Sequence, residues 1–278
     1  MARSRVRRNV AGLIVNGVLF AAAVATVAPL VWMVSVSFMA PGEASAFPPP
    51  LVPGQPTFAN YRELFAHAGM GRYLVNSIVL TVLVTLVSLT FNVAAGYAFA
   101  KLPFGGRDRI FKSLLAALVI PGQVAMVPLF LLLKHMGLVN SYGGIVVPAM
   151  ASIFGIFLVR QYALSIPDQL LEAARLDGAS EFRIFRSVIV PLLKPIIVTL
   201  AVFTSLGAWN DFMWPLIVLN DSDLYTLPVA LASLSREHVQ DNELMMAGSV
   251  LTTLPVLLVF LALQRYYVEG IMLGSVKG

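Results

Sequence analysis

Two groups of residues in this chain are of types that could do chemistry. The first is Glu172, Arg175, Asp177, Glu181, Arg183 and Arg186, six charges within fifteen positions. They lie between long uncharged runs, so the segment is not itself a membrane span. Its charges are suited to meeting something polar and soluble. The second group is Asn210 and Asp211, deep in an apolar run and flanked by Trp209 and Trp214. An amide, a carboxylate and aromatic faces together could line the path of a polar ligand. An ionisable group inside a span is by default a functional-site candidate. The competing reading has Asp211 facing an outer mouth and the Trp side chains acting as interface anchors. Gln123 belongs with this second group. Pro121, Gly122 and Pro128 should break the apolar run around it, and freed backbone groups need a cavity or a neighbour. Met126 is close by as a cavity-lining candidate, although a methionine in a span more often serves packing.

The reactive motifs of common enzymes are missing. No Gly-Lys dipeptide occurs, so there is no G-x4-G-K-[S/T] phosphate loop, and neither H-E-x-x-H nor G-x-S-x-G is present. The absence of cysteine excludes disulfides, thiolate zinc sites and a catalytic thiol. His67, His135 and His238 fall in loops without metal-ligand spacing, and Asp221 with Asp223 does not make a calcium site. The sequence predicts no catalytic residue, no cofactor-binding residue and no metal ligand.

What must position the two groups is a membrane. Of 278 residues, 58% are hydrophobic and 12% charged, against about 25% charged in an average soluble domain. Mean hydropathy is +0.84. A span needs about 20 apolar residues. Six stretches qualify, namely Val10–Met39, Tyr73–Ala100, Ser113–Leu133, Val139–Val159, Pro195–Asn220 and Leu244–Gln264. Only Asp211 brings a charge into any of them. The prediction is an all-α integral membrane protein with six transmembrane helices, in which residues 1–9 form a tail and 10–278 a single transmembrane domain. Arg3, Arg5, Arg7 and Arg8 resemble the start of a signal peptide. The following run is about twice the usual length of such a signal and is read as a retained helix.

Fifteen of the nineteen Lys and Arg residues lie before the first stretch, between the second and third, between the fourth and fifth, or after the sixth. The positive-inside rule makes these regions cytoplasmic, together with both termini and the charged segment. The pI of 9.6 then reports membrane topology and not nucleic-acid binding. Outside lies a proline-rich loop, Ala40–Arg72, where Thr57 is placed to cap a short amphipathic helix. A second, acidic loop, Asn220–Glu243, is either a docking surface for a soluble partner or a solvated connector.

The charged segment, residues 165–191, has its own local logic. Ser165, Pro167 and Asp168 make a helix start, with Ser165 as the capping hydroxyl. Asp168, Glu172 and Arg175 share one face by spacing. Ala173 and Ala174 offer close packing without bulk. Asp177-Gly178 ends the helix, since glycine takes the left-handed conformation that helix ends require. Ser180 is placed to cap the next helical run, within Ala179–Val190, and Pro191 and Pro195 mark its junction with the fifth stretch. The product is a helix–glycine–helix element attached to a membrane helix.

Glu172-Ala173-Ala174, three residues, Gly178, nine residues and Val188-Ile189-Val190-Pro191 resemble the EAA loop of ABC-importer permeases, EAA-x3-G-x9-I-x-L-P. Val188 for Ile and Val190 for Leu are conservative departures. Further similarity to the carbohydrate branch lies in Ile166-Pro167, Leu176-Asp177-Gly178-Ala179, Asn60-Tyr61, Asn76-Ser77, Tyr97-Ala98-Phe99-Ala100, Gly105-Gly106-Arg107, Ile120-Pro121, Pro128, Trp209-Asn210 and Val276-Lys277-Gly278. It covers nearly the whole chain and is closest to the small six-span permease of maltose-type importers.

The resemblance implies the type I ABC importer permease fold with a cytoplasmic EAA coupling helix. Glu172, Ala173, Ala174, Arg175, Asp177 and Gly178 would then meet a cytoplasmic ATPase, with Gly178 permitting the turn. It also implies a second permease subunit in a heterodimer, two ATPase subunits that bind ATP and Mg, and an extracytoplasmic solute-binding protein. The implied place is a prokaryotic inner membrane, and the implied cargo a sugar. Gln123, Met126, Trp209, Asn210 and Asp211 are the candidate substrate pathway, although the other permease could hold most of the sugar. A polyol, glycerol phosphate or other solute is the alternative cargo. An ATP-independent secondary transporter is a further alternative that leaves the EAA element unexplained.

Overall fold

The computed structural model describes residues 2–237 and 241–275, with side chains over 12–235 and 241–262. His238 and Val276-Lys277-Gly278 lie outside the described residues. Among these residues all regular structure is helical. Four helical segments are long and apolar enough to cross a bilayer, and counting each of two bent pairs as one span brings the total to six. Two compact units divide the chain.

The first unit draws on Met1–Met70 and Leu231–Leu254. Its long helix α1, Ala2–Ser37, contains the span Gly12–Ser37, whose most apolar window is not buried by this chain at all. Helix α2, Ala59–Ala66, is tied to the end of α1 by Asn60, whose Nδ2 donates to the carbonyls of Ser37 and Met39 at 3.0 and 2.9 Å. Ser37 Oγ and Tyr61 Oη lie 2.8 Å apart. The expected cap is displaced by one residue. Phe58 occupies the N-cap position of α2, and Thr57 Oγ1 accepts the Ala59 N–H at 3.1 Å.

The second unit draws on Gly71–Ala230 and Pro255–Gly278. It contains nearly all of α3 (Met70–Lys101), then α4 (Arg107–Ala117), α5 (Gly122–His135), α6 (Gly143–Ala149) and α7 (Ile153–Leu164). After these come α8 (Asp168–Leu176), α9 (Glu181–Leu192), α10 (Lys194–Asn210) and α11 (Met213–Val218). The expected third span is sharply bent. Helices α4 and α5 meet at 106°, and the break falls at Leu118–Pro121, where proline removes a backbone donor. Helices α9 and α10 meet at 76° between Pro191 and Pro195. Within α9, Phe185–Ile189 is a π-helical stretch, so the run after Gly178 is not one regular α-helix.

Irregular backbone inside a span needs partners. At the interruption between α6 and α7, Ser152 N–H donates to Asn92 Oδ1 at 2.9 Å, and Ser152 Oγ accepts the Gly155 N–H at 3.0 Å. Asn92 Nδ2 donates to Ser88 Oγ at 2.8 Å. Close helix approach depends on Gly96. A Cβ there would lie 2.6 Å from Val159 Cβ and 3.1 Å from the Arg160 nitrogen. A continuous core joins Val93, Tyr97 and Ala100 of α3 with Val159 and Ala163 of α7, Leu171 of α8, and Ile184 and Ile189 of α9.

Candidate coupling segment and cavity

Helix α8 is held to this core by Leu171, while Ala174 is half-buried. Glu172, Ala173 and Arg175 are exposed. So is Leu176 at 90%, and Phe182 at the start of α9 is 71% exposed. The face that composition alone would bury is therefore open. The end of α8 is closed by a pair of hydrogen bonds. Gly178 has φ +77°, its N–H donates to the Arg175 carbonyl at 3.0 Å, and the Ala179 N–H donates to the Ala174 carbonyl at 3.0 Å. This is the paired C-terminal motif in which glycine supplies the left-handed residue. Ser180 caps α9, its Oγ accepting the Arg183 N–H at 3.4 Å.

The expected start of α8 is corrected. Ser165 does not cap it. Its Oγ donates to the Tyr162 carbonyl at 2.7 Å and so serves the end of α7, because Pro167 separates it from the α8 backbone and itself takes the N-cap position. The work at this end falls to Lys101. Its Nζ donates to the Ile166 carbonyl and to Asp168 Oδ1, each at 2.6 Å. That hydrogen bond and the adjacent positive charge hold the Asp168 carboxyl below the usual carboxylate range. At the other end Arg175 Nε donates to Glu181 Oε1 at 2.7 Å, bridging the turn. Glu181 raises the Arg175 pKa above its ordinary value. Asp177 occupies the C-cap position and is exposed.

The second unit also holds an open cavity of about 590 Å³. Gln123 and Met126 line it from α5, and Asp211 lines it from the break between α10 and α11. Trp209 and Asn210 do not. Trp209 is buried, and Asn210 Nδ2 donates to the Leu206 carbonyl at 2.8 Å. Helix α10 stops at Asn210, and Asp211 adopts φ −68°, ψ 119°, which turns it away from the helical register of its neighbours. Asp211 Oδ1 accepts the Trp214 N–H at 3.3 Å, and Trp214 Nε1 donates to the Gly144 carbonyl at 3.0 Å. Trp214, not Trp209, is the cavity tryptophan.

Sequence reasoning missed the rest of the wall. Ser77, Ser88, Ser152, Thr204 and Thr226 belong to it, and Phe154 and Phe203 contribute an edge-to-face ring pair with centroids 6.4 Å apart. Thr226 Oγ1 is buried without a hydrogen-bond partner. Only the scarcity of polar residues in apolar runs could have marked these positions. The described lining includes one carboxylate and no Lys or Arg.

A polytopic helical membrane protein with a cavity among its spans and an exposed charged helix between them has the outline of a transport permease. Residues 92–272 match the family described as binding-protein-dependent transport system inner membrane component, and the chain belongs to that family. It is 37% identical over 227 residues to the arabinooligosaccharides transport system permease protein AraQ of Halalkalibacterium halodurans, covering 81% of each chain. It is 33% identical over 276 residues to the lactose transport system permease protein LacG of Rhizobium radiobacter, covering 98% of each. Among solved structures it is similar to a bacterial ABC transporter involved in import of the acidic polysaccharide alginate. That match has TM-score 0.84 and 24% identity, covering 93% of this chain and 97% of the other, and it supports the type I importer permease fold.

Proposed function

We propose that this chain is one permease subunit of an ATP-driven importer of a neutral di- or oligosaccharide. The observation that carries the reading is the exposure of α8 and the start of α9 outside any span, where Leu176, Phe182, Glu172 and Arg175 are all bare. Large apolar side chains bared within a charged stretch suit a docking surface. Glu172, Ala173, Ala174, Arg175, Asp177 and Gly178 form the surface offered to a cytoplasmic ATPase. Two such ATPases bind ATP and Mg, a second permease completes a heterodimer, and an extracytoplasmic binding protein delivers the solute. This chain performs no catalysis. Residues 1–9 are a cytoplasmic tail, 10–278 one transmembrane domain, and both termini are cytoplasmic. A reporter active only outside the cytoplasm is expected to work when fused after Asp221 and to be silent after Ser180. The reverse pattern would overturn this orientation.

The cargo reading rests on the cavity. Its hydroxyls, the Gln123 amide and the Asp211 carboxylate suit sugar hydroxyls, the aromatic rings suit a sugar face, and Met126 fills the wall between. A carboxylate without a described cation disfavours an anion such as glycerol phosphate, unless the partner permease supplies the charge. In proteoliposomes holding the complete transporter, ATP-dependent uptake is expected for arabino-oligosaccharide or lactose and not for glycerol 3-phosphate. Uptake of glycerol 3-phosphate alone would reverse the assignment, and flux through this chain by itself would sink the ATP-driven reading.

A further inference from the structure

The end of α3 touches the charged segment at two points, at the start of α8 and just beyond its end. Tyr97 and Lys101 are four residues apart and so share one helix face. Lys101 is 5% exposed, yet its ammonium is matched by the Ile166 carbonyl and by Asp168, the first residue of α8. Tyr97 Oη donates to Glu181 Oε2 at 3.3 Å, and Glu181 in turn holds Arg175 in the last turn of α8. The Tyr97 ring also packs on Phe185 of α9, with centroids 5.3 Å apart. Between these two points Leu171 sits in the same core as Val93, Tyr97 and Ala100.

The covalent route from α8 into the membrane is less direct. It runs through the Gly178 turn, the π-helical stretch Phe185–Ile189 and the 76° bend before α10. Each is a place where a push can be absorbed by torsion. The α3 route has no such joint, and at Gly96 α3 lies against α7 with no room for a Cβ.

We infer that Tyr97 and Lys101 form a two-point clamp through which movement of the coupling segment is delivered to α3, in addition to α10. This rests on α8 being the ATPase-coupling helix. The clamp residues are positioning residues. They hold both ends of α8 to one membrane helix, so that docking forces displace the cavity wall contributed by α3 at Ser77, Leu80, Val84 and Ser88.

The chain has no cysteine, so a single Val84→Cys change gives it one thiol, on the part of the cavity wall that α3 contributes. In the assembled transporter the probe is the rate of Val84→Cys modification by a membrane-impermeant maleimide, with and without ATP and Mg. No solute is needed. Lys101→Met is expected to leave the ATPase subunits bound and to reduce the ATP-dependent change in labelling about tenfold, while Lys101→Arg keeps it. A purely structural ion pair would alter thermal stability and leave that change intact, and this result would overturn the clamp. If Lys101→Met does not accumulate, Asp168→Asn and Tyr97→Phe carry the test. Each is expected to lose about two- to fivefold of the change, and parental behaviour of both would overturn the inference. Gly178→Val in the same background separates the two readings. Normal switching there removes α8 as coupling helix, whereas blocked switching there with normal clamp variants removes the clamp alone.

Discussion

Gly178→Val is expected to abolish ATP-driven uptake while the chain still reaches the membrane. The residue has φ +77°, and a Cβ placed on it meets no atom of this chain within 4 Å. The intrinsic cost is therefore one of conformation, about 1–2 kcal/mol for a left-handed residue and more for a β-branched one. That is too little to unfold a membrane protein held by the core around Leu171, but enough to distort the turn that fixes Arg175 against Glu181. Gly178→Asn tests how the loss arises, because asparagine tolerates the left-handed region. Restored uptake with Asn would assign the effect to backbone geometry. Continued failure, with loss of ATPase co-purification, would assign it to bulk on the docking face. Glu172→Lys is expected to act through the second route, weakening ATPase assembly without changing the affinity of the free binding protein for its sugar. Normal uptake by both Gly178→Val and Glu172→Lys would refute the coupling role.

Gly96→Ala is expected to destabilise the second unit. Alanine favours a helix over glycine by about 1 kcal/mol, which argues for a gain. The new Cβ, however, would sit 2.6 Å from both Val159 Cβ and Cγ1 and 3.1 Å from a backbone nitrogen. Overpacking of this kind costs about 1–3 kcal/mol, and a stiff β-branched neighbour with a backbone atom behind it places the cost at the upper end. The net effect is a lower melting temperature of the purified permease. Val159→Ala should rescue it little, because it removes Cγ1 and leaves the Cβ at 2.6 Å, whereas Val159→Gly should recover more of the loss. Rescue by Val159→Ala, or an unchanged melting temperature, would show that α3 and α7 can separate at this level.

Features governed by neighbours in sequence were legible before the fold was known. The Gly178 turn and the Ser180 cap each depend on a few adjacent residues, and the bend at Pro121 follows from a missing backbone donor. The charged segment was legible because charge is scarce elsewhere. What escaped was set by distance along the chain. Lys101 and Asp168 are 67 positions apart, and nothing local marks Lys101 as more than the last basic residue of a span. Ser165 was misassigned because a capping hydroxyl fits two helix ends equally well, and only the Tyr162 carbonyl decides between them. Trp209, Asn210 and Asp211 were grouped by adjacency. The end of α10 falls between Asn210 and Asp211, so the carboxylate points into the cavity while its neighbours do not. The serine and threonine lining was invisible for the opposite reason. Hydroxyls bonded back to their own helix, such as Thr199 to the Pro195 carbonyl, look the same in sequence as those lining a cavity.

Leu176 and Phe182 carry a consequence for the life of the protein in a cell. They stand almost bare on a surface that no span covers. Until a partner arrives, this surface is oily and faces water, and such a patch invites self-association and attack by quality-control proteases. Mass action gives a covered subunit a stability that an orphan lacks. The amount of this permease that persists in a cell is thus expected to follow the supply of whatever covers α8, which pulse-chase with and without co-expressed partners would check. The same two side chains that make the joint also make the subunit count its partners.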